Sequence, residues 1–195
     1  MVLYLTIIGI SVVVLSVVGI LLTPITGMAI WQVILTTVIL TLSVIILDAI
    51  LAVIGRRAFP KKWFEKDSKF FVPGKKEINL LNKLKIRNWK DKVWELGKVG
   101  TGVSKAHIED KNNLDYINQF IIESNYGQVI HIISVVLSYL IIFIFPFTSF
   151  KTNLIFSIPV ATVSAILNLM PLMILRYNTP RLLLLKKRAS AKEKS

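Results

Sequence analysis

Four long apolar runs alternate with two basic stretches. Residues 2–22 carry no charged side chain, and 28–54 carry only Asp48. Residues 129–145 and 154–175 repeat the pattern in the second half of the chain. About 20 apolar residues in a helix cross a hydrocarbon core of about 30 Å. Each run therefore predicts a transmembrane helix, and together they predict an all-α integral membrane protein with four spans. Pro24 and Gly27 mark the turn between the first two, Gly55-Arg56-Arg57 closes the second, and Pro146 ends the third. Pro159 and Pro171 interrupt the fourth. Each frees a backbone carbonyl, which Ser164 or a neighbouring helix must satisfy. A secretory signal peptide competes for the first run, but the missing basic n-region and the length of the run favour a span.

Between the second and third spans the pattern changes. Residues 56–127 interleave Phe59, Trp63, Phe64, Phe70, Phe71, Trp89 and Trp94 with lysines and arginines. That mixture suits a segment lying in the headgroup layer. Across 77–94, Ile78, Leu81, Leu84 or Lys85, and Trp89 fall roughly on one helical face. Gly97, Gly100 and Gly102 predict a flexible loop, and helical spacing resumes over 113–123 with Leu114, Ile117, Phe120 and Ile121. Residues 1–185 read as a single membrane domain, followed by a basic tail at 186–195.

Charge then sets the orientation. Residues 56–115 hold 16 Lys and Arg against 8 Asp and Glu, and the chain from Arg176 holds 7 against Glu193 alone. The loop 146–153 holds only Lys151. By the positive-inside rule both termini and the 56–127 segment belong in the cytoplasm, in a multi-pass protein of the cell membrane. The net charge of +13 then points to anionic lipid headgroups as partners rather than to nucleic acid. The absence of Cys excludes disulfide scaffolds, thiol catalysis and Cys-ligated zinc. Two His in 195 residues argue against a metal site.

The familiar catalytic motifs are missing, including the phosphate-binding glycine loop, G-x-S-x-G and H-E-x-x-H. Neither His107 nor His131 has an Asp five positions on, so the His-x4-Asp pair of glycerolipid acyltransferases is absent as well. Four polar features remain. Glu123, Gln128 and His131 lie at the entry to the third span, where ionisable groups are costly and His suits proton transfer near neutral pH. Arg87-Asn88-Trp89-Lys90-Asp91-Lys92 suits either an interfacial strip or a clamp for phosphate. Arg176-Tyr177-Asn178-Thr179-Pro180-Arg181 follows the fourth span, with more chemistry than a stop signal needs. Asp48 stands alone in the second span, free to snorkel outward or to pair with Arg56 or Arg57. Glu77 is a further, weaker carboxylate candidate.

Three of these blocks carry a resemblance. Arg87-x-Trp89-Lys90-x-Lys92, Ile121-Ile122-Glu123-Ser124 with Ile130-His131, and Arg176-Tyr177-Asn178-x-Pro180-Arg181-Leu182 resemble the glycosyl-4,4′-diaponeurosporenoate acyltransferase family in order and spacing. The family pattern has Glu at 128, where this chain has Gln128, and Arg at 179, where it has Thr179. The resemblance implies transfer of a fatty acyl group to a sugar hydroxyl of a glycosylated carotenoid. The acyl donor, acyl-CoA or acyl carrier protein, would be a co-substrate, with no bound cofactor. Lipid-linked sugar would be the acceptor. In that picture His131 is the general base, oriented by Glu123. Arg87, Trp89, Lys90, Lys92, Gln128, Arg176, Tyr177, Asn178 and Arg181 surround the substrates. Competing readings are acylation of another glycolipid, a membrane methyltransferase and a non-enzymatic lipid-binding anchor. The oligomeric state stays open.

Overall fold

The computed structural model describes residues 2–65, 68–93 and 113–193. Every regular element among them is helical. In chain order they are α1 (Val2–Leu21), the short α2 (Thr23–Thr26), α3 (Ile30–Ala58), α4 (Lys75–Lys83), α5 (Ile86–Trp89), α6 (Leu114–Leu137) and α7 (Phe150–Glu193). Three-residue 3₁₀ turns lie at Lys61–Trp63 and Lys90–Lys92, and a longer one at Ser138–Phe143 extends α6. Four helices, α1, α3, extended α6 and α7, are long and apolar enough to cross a membrane, as the four runs predict.

The chain divides into two compact units. The first comprises Met1–Ile54 and Ile132–Leu169, and the second Gly55–His131 and Met170–Ser195. In the first, Met28, Val33, Leu40, Val44, Ile141, Phe156, Val160 and Ala161 form the core. Large apolar side chains such as Val13, Leu21 and Ile46 point outward. Lipid solvates such a surface as well as it solvates a core, so packing and polar contacts must hold the helices together. Close packing occurs at Gly19, where an added Cβ would stand 2.6 Å from the Phe156 ring and from a Val33 methyl. Polar contact occurs around Asp48. Its Oδ2 accepts from Asn168 Nδ2 at 2.9 Å and from Ser164 Oγ at 3.4 Å, while Ser164 Oγ lies 3.2 Å from Ser138 Oγ. Asp48 Oδ2 is thus held by neutral side chains, while its Oδ1 is buried with no hydrogen-bond partner among the described residues, and Arg56 takes Glu123 instead. The Tyr4 hydroxyl donates to the Leu167 carbonyl at 2.8 Å, the group that Pro171 leaves without its helical donor. A neighbouring helix supplies the missing bond, as the sequence requires.

In the second unit, α6 begins with an Asn113 cap, whose Oδ1 accepts from the Tyr116 amide at 3.0 Å. Ile117, Phe120 and Ile121 then pack on Leu182 and Ala189 of α7. A second cluster joins Phe64, Phe71, Ile122 and Tyr126, with the Phe64 and Tyr126 rings stacked at 3.8 Å. Asn125 Nδ2 and the Tyr126 hydroxyl donate to the Phe64 and Phe59 carbonyls at 3.0 and 2.9 Å. The 59–71 segment is therefore pinned to α6 by side chains that satisfy its irregular backbone.

Three expectations are corrected by this structure. The third helix begins at Leu114 rather than at 129, because the 113–123 stretch and the apolar run form one helix. The fourth runs from Phe150 through Glu193 rather than ending at 175. Residues 186–193 of the tail are thus helical, with Ala189 buried. The 77–94 stretch is not one helix. Lys85 adopts φ 51° and separates α4 from α5, and Leu84 is exposed while Leu81 and Ile86 are buried. Trp94, the 97–102 glycines and His107 lie outside the described residues.

Replacing Gly19 by Ala should cost about 1–3 kcal/mol by overpacking. Gly9, where a Cβ meets nothing within 4 Å, should accept Ala freely. Thermal unfolding of both variants in nanodiscs reads this, and equal midpoints would refute the close approach.

Candidate active site

The site grows from one face of α6. Ser124, Gln128 and His131 are spaced four and three residues apart, which stacks them on one side of a helix. Residues 124–128 are all buried, and His131 is half-buried. Gln128 is fully enclosed, at 0% exposure. Its Nε2 donates to Thr179 Oγ1 at 3.1 Å, and its Oε1 accepts from Arg176 Nη1 at 3.2 Å. Thr179 in turn donates to the Leu175 carbonyl at 2.9 Å. The amide therefore has one orientation, and it fixes α6 against α7 just before His131.

Arg176 is the centre of these contacts. Its Nε and Nη2 make a bidentate pair with the Glu77 carboxylate, and its Nη1 also donates to the Phe70 carbonyl at 2.9 Å. One guanidinium thus ties together α4, the turn at Phe70, α6 and α7. Planar fork-to-fork geometry makes such a pair both strong and directional. The sequence reading gave Arg176 to a substrate anion. In the structure Glu77 pairs with that guanidinium. Glu123 is likewise engaged, pairing with Arg56 at the end of α3 at 2.9 Å.

The other predicted residues lie around this clasp in the same unit. Arg87 and Lys92 are exposed on α5 and the turn after it. Trp89 Nε1 donates to the Leu84 carbonyl at 3.1 Å and so caps the end of α4. Lys90 lies 4.0 Å from the Asp91 carboxylate, a solvent-screened contact of small energy. Tyr177 and Arg181 form an i,i+4 pair, with the guanidinium 4.8 Å from the ring centroid and Nη2 3.1 Å from the phenol oxygen. Asn178 is half-buried.

Sequence reasoning missed two residues of this site. Glu77 appeared only as a weak candidate because its partner lies 99 residues away. Ser124 was quoted only as part of the 121–124 block and given no role, yet its hydroxyl is buried with no hydrogen-bond partner among the described residues. Its i,i+4 spacing from Gln128 is a further hint in the sequence.

The sequence profile of the glycosyl-4,4′-diaponeurosporenoate acyltransferase family matches residues 60–188. The chain belongs to that family. The match covers well over half of the chain and includes all of the clasp residues, so the site lies within an acyltransferase framework. No curated protein and no solved structure matches the chain. Gln128 and Thr179, both within the family match, are hydrogen-bond partners.

Leaving a buried hydrogen-bonding group without its partner costs about 1–3 kcal/mol. Gln128→Leu and Thr179→Val should each lower the unfolding midpoint, and the double variant should lose less than the two losses combined. Strict additivity in denaturation of the reconstituted protein would show that the two side chains do not act as a unit.

Proposed function

We propose that this protein transfers a fatty acyl group from a thioester donor to a sugar hydroxyl of a glycosylated apo-carotenoid, with His131 as the general base. The observation that carries the reading is the placement of His131. It stands on the face of α6 that Gln128 locks to Arg176 and Thr179, inside the family-matched region.

His131 takes the proton of the sugar hydroxyl as its oxygen attacks the thioester carbonyl. Collapse of the tetrahedral intermediate breaks the carbon–sulfur bond. The departing sulfur receives the proton, so an ester and a free thiol result. Glu123, held by Arg56, is read as a positioning residue for α6 rather than as a direct partner of the imidazole. The half-buried Asn178 is a donor suited to the developing oxyanion. Arg87, Lys92 and Arg181 supply cations for the donor's phosphate. The acceptor's apolar chain lies among the spans and its sugar at the headgroup level. The basic excess of 56–115 and of the C-terminal stretch puts that sugar in the cytoplasmic leaflet of the cell membrane, near anionic headgroups.

Loss of a general base typically slows a reaction about 10²–10⁴-fold. His131→Ala and His131→Gln should both reduce kcat by that order in nanodiscs supplied with palmitoyl-CoA and the glycosylated acceptor, while their unfolding midpoints stay near wild type. A folded His131→Ala protein with undiminished ester formation would remove the mechanism. Transfer of a methyl group from S-adenosylmethionine in the same assay would replace the reaction.

A further inference from the structure

A groove runs between α4 and α7 in the second unit. Ile78, Leu81 and Asn82 form one side, and Tyr177, Pro180 and Arg181 the other, around a volume of about 190 Å³. Sites that enclose a whole small molecule measure about 300–1,000 Å³. This groove therefore accommodates one portion of a larger ligand, not all of it.

Its lining combines apolar, amide and cationic side chains. Ile78, Leu81 and Pro180 offer a bulky apolar wall. Asn82 presents an amide that can both donate and accept. Arg181 stands exposed at the lip, aimed by its contacts with the Tyr177 ring and hydroxyl. The Tyr177 pairing uses one guanidinium N–H, and Arg offers five, so donors are left for an anion. The sites of Arg176 and Arg181 thus divide the work. Glu77 holds the first guanidinium, while the second belongs to an exposed residue that lines the groove.

We propose that this groove binds the phosphopantetheine arm of the acyl donor at its phosphate end. That arm carries a phosphate, then a branched gem-dimethyl carbon, then two amides on the way to the sulfur. Each of these groups has a chemical counterpart in the lining: Arg181 for the phosphate, Ile78, Leu81 and Pro180 for the gem-dimethyl carbon, and Asn82 for an amide. Coenzyme A and acyl carrier protein share this arm, so the groove reads what they have in common. The inference rests on the thioester reading of the reaction and assigns its donor subsite. It adds Ile78, Leu81 and Asn82 of α4 to the binding residues.

The test uses the full chain in nanodiscs with palmitoyl-CoA and, separately, palmitoyl carrier protein, and free phosphopantetheine as the competing probe. A lost charge-assisted hydrogen bond corresponds to about tenfold in affinity. Arg181→Gln should raise KM for both donors by about that factor and weaken phosphopantetheine inhibition equally. The acceptor KM and kcat should stay within about twofold. Ile78→Trp, which fills the groove, should act in the same direction, and Lys187→Gln on the same helix should do nothing. Unchanged donor KM values, an effect on one donor alone, or an effect that tracks phosphatidylglycerol content without phosphopantetheine competition would each overturn the proposal. Equilibrium dialysis of phosphopantetheine separates it from the reaction reading. If binding is lost in Arg181→Gln while His131→Ala retains full acyl transfer, the groove stands and the general-base mechanism falls.

Discussion

The second unit depends on one ion pair. Arg176 and Glu77 lie 99 positions apart in the chain, and their side chains are 18% and 33% exposed. A pair so sheltered is screened less than a surface contact, and losing one partner strands the other charge. The energetic value of the pair matters less than its geometry. The bidentate contact fixes the guanidinium plane, which leaves Nη1 to reach the Phe70 carbonyl and Gln128. Three otherwise separate elements acquire their register on α7 from that single side chain. His131, three residues beyond Gln128, inherits its placement.

The first unit follows a different rule. Its helices expose many large apolar side chains, so burial of apolar area cannot tell one arrangement from another in lipid. Discrimination comes from shape at Gly19 and from hydrogen bonds in the interior. The Asp48, Asn168 and Ser164 contacts and the Tyr4 bond to the Leu167 carbonyl are directional. They specify which faces meet. Asp48 belongs to this cementing role, and the catalytic proposal makes no use of it.

Much of this was legible in the sequence, and the losses have physical causes. The four spans were readable because charges are absent from long apolar runs. The Leu167 carbonyl was foreseeable because a proline at 171 always removes its donor. The ends of α6 and α7 were not, because polar residues such as Asn125 and Gln128, or the lysines after Leu185, break the hydropathy signal without breaking the helix. Buried contacts satisfy the former, and Lys187 and Arg188 are exposed while Ala189 packs inward. The break at Lys85 was invisible because a left-handed lysine has no compositional mark. At the site, local spacing put Gln128 and His131 on one face correctly. It could not choose Glu77 over Glu123 as the partner of an arginine, since only the tertiary fold brings distant charges together. The contacts of Arg176 with Glu77, Phe70 and Gln128 were therefore not legible from its motif.

If the clasp sets the catalytic face, stability and acyl transfer must fail together and recover together. The direct measurement is a double-mutant cycle on Glu77→Gln and Arg176→Gln, read by unfolding midpoint and by kcat/KM in nanodiscs. The account predicts that each single change lowers both readouts and that the double variant is no worse than the more damaged single, giving a coupling of about 0.5–3 kcal/mol. Independent, additive losses, or full acyl transfer in either single variant, would contradict it.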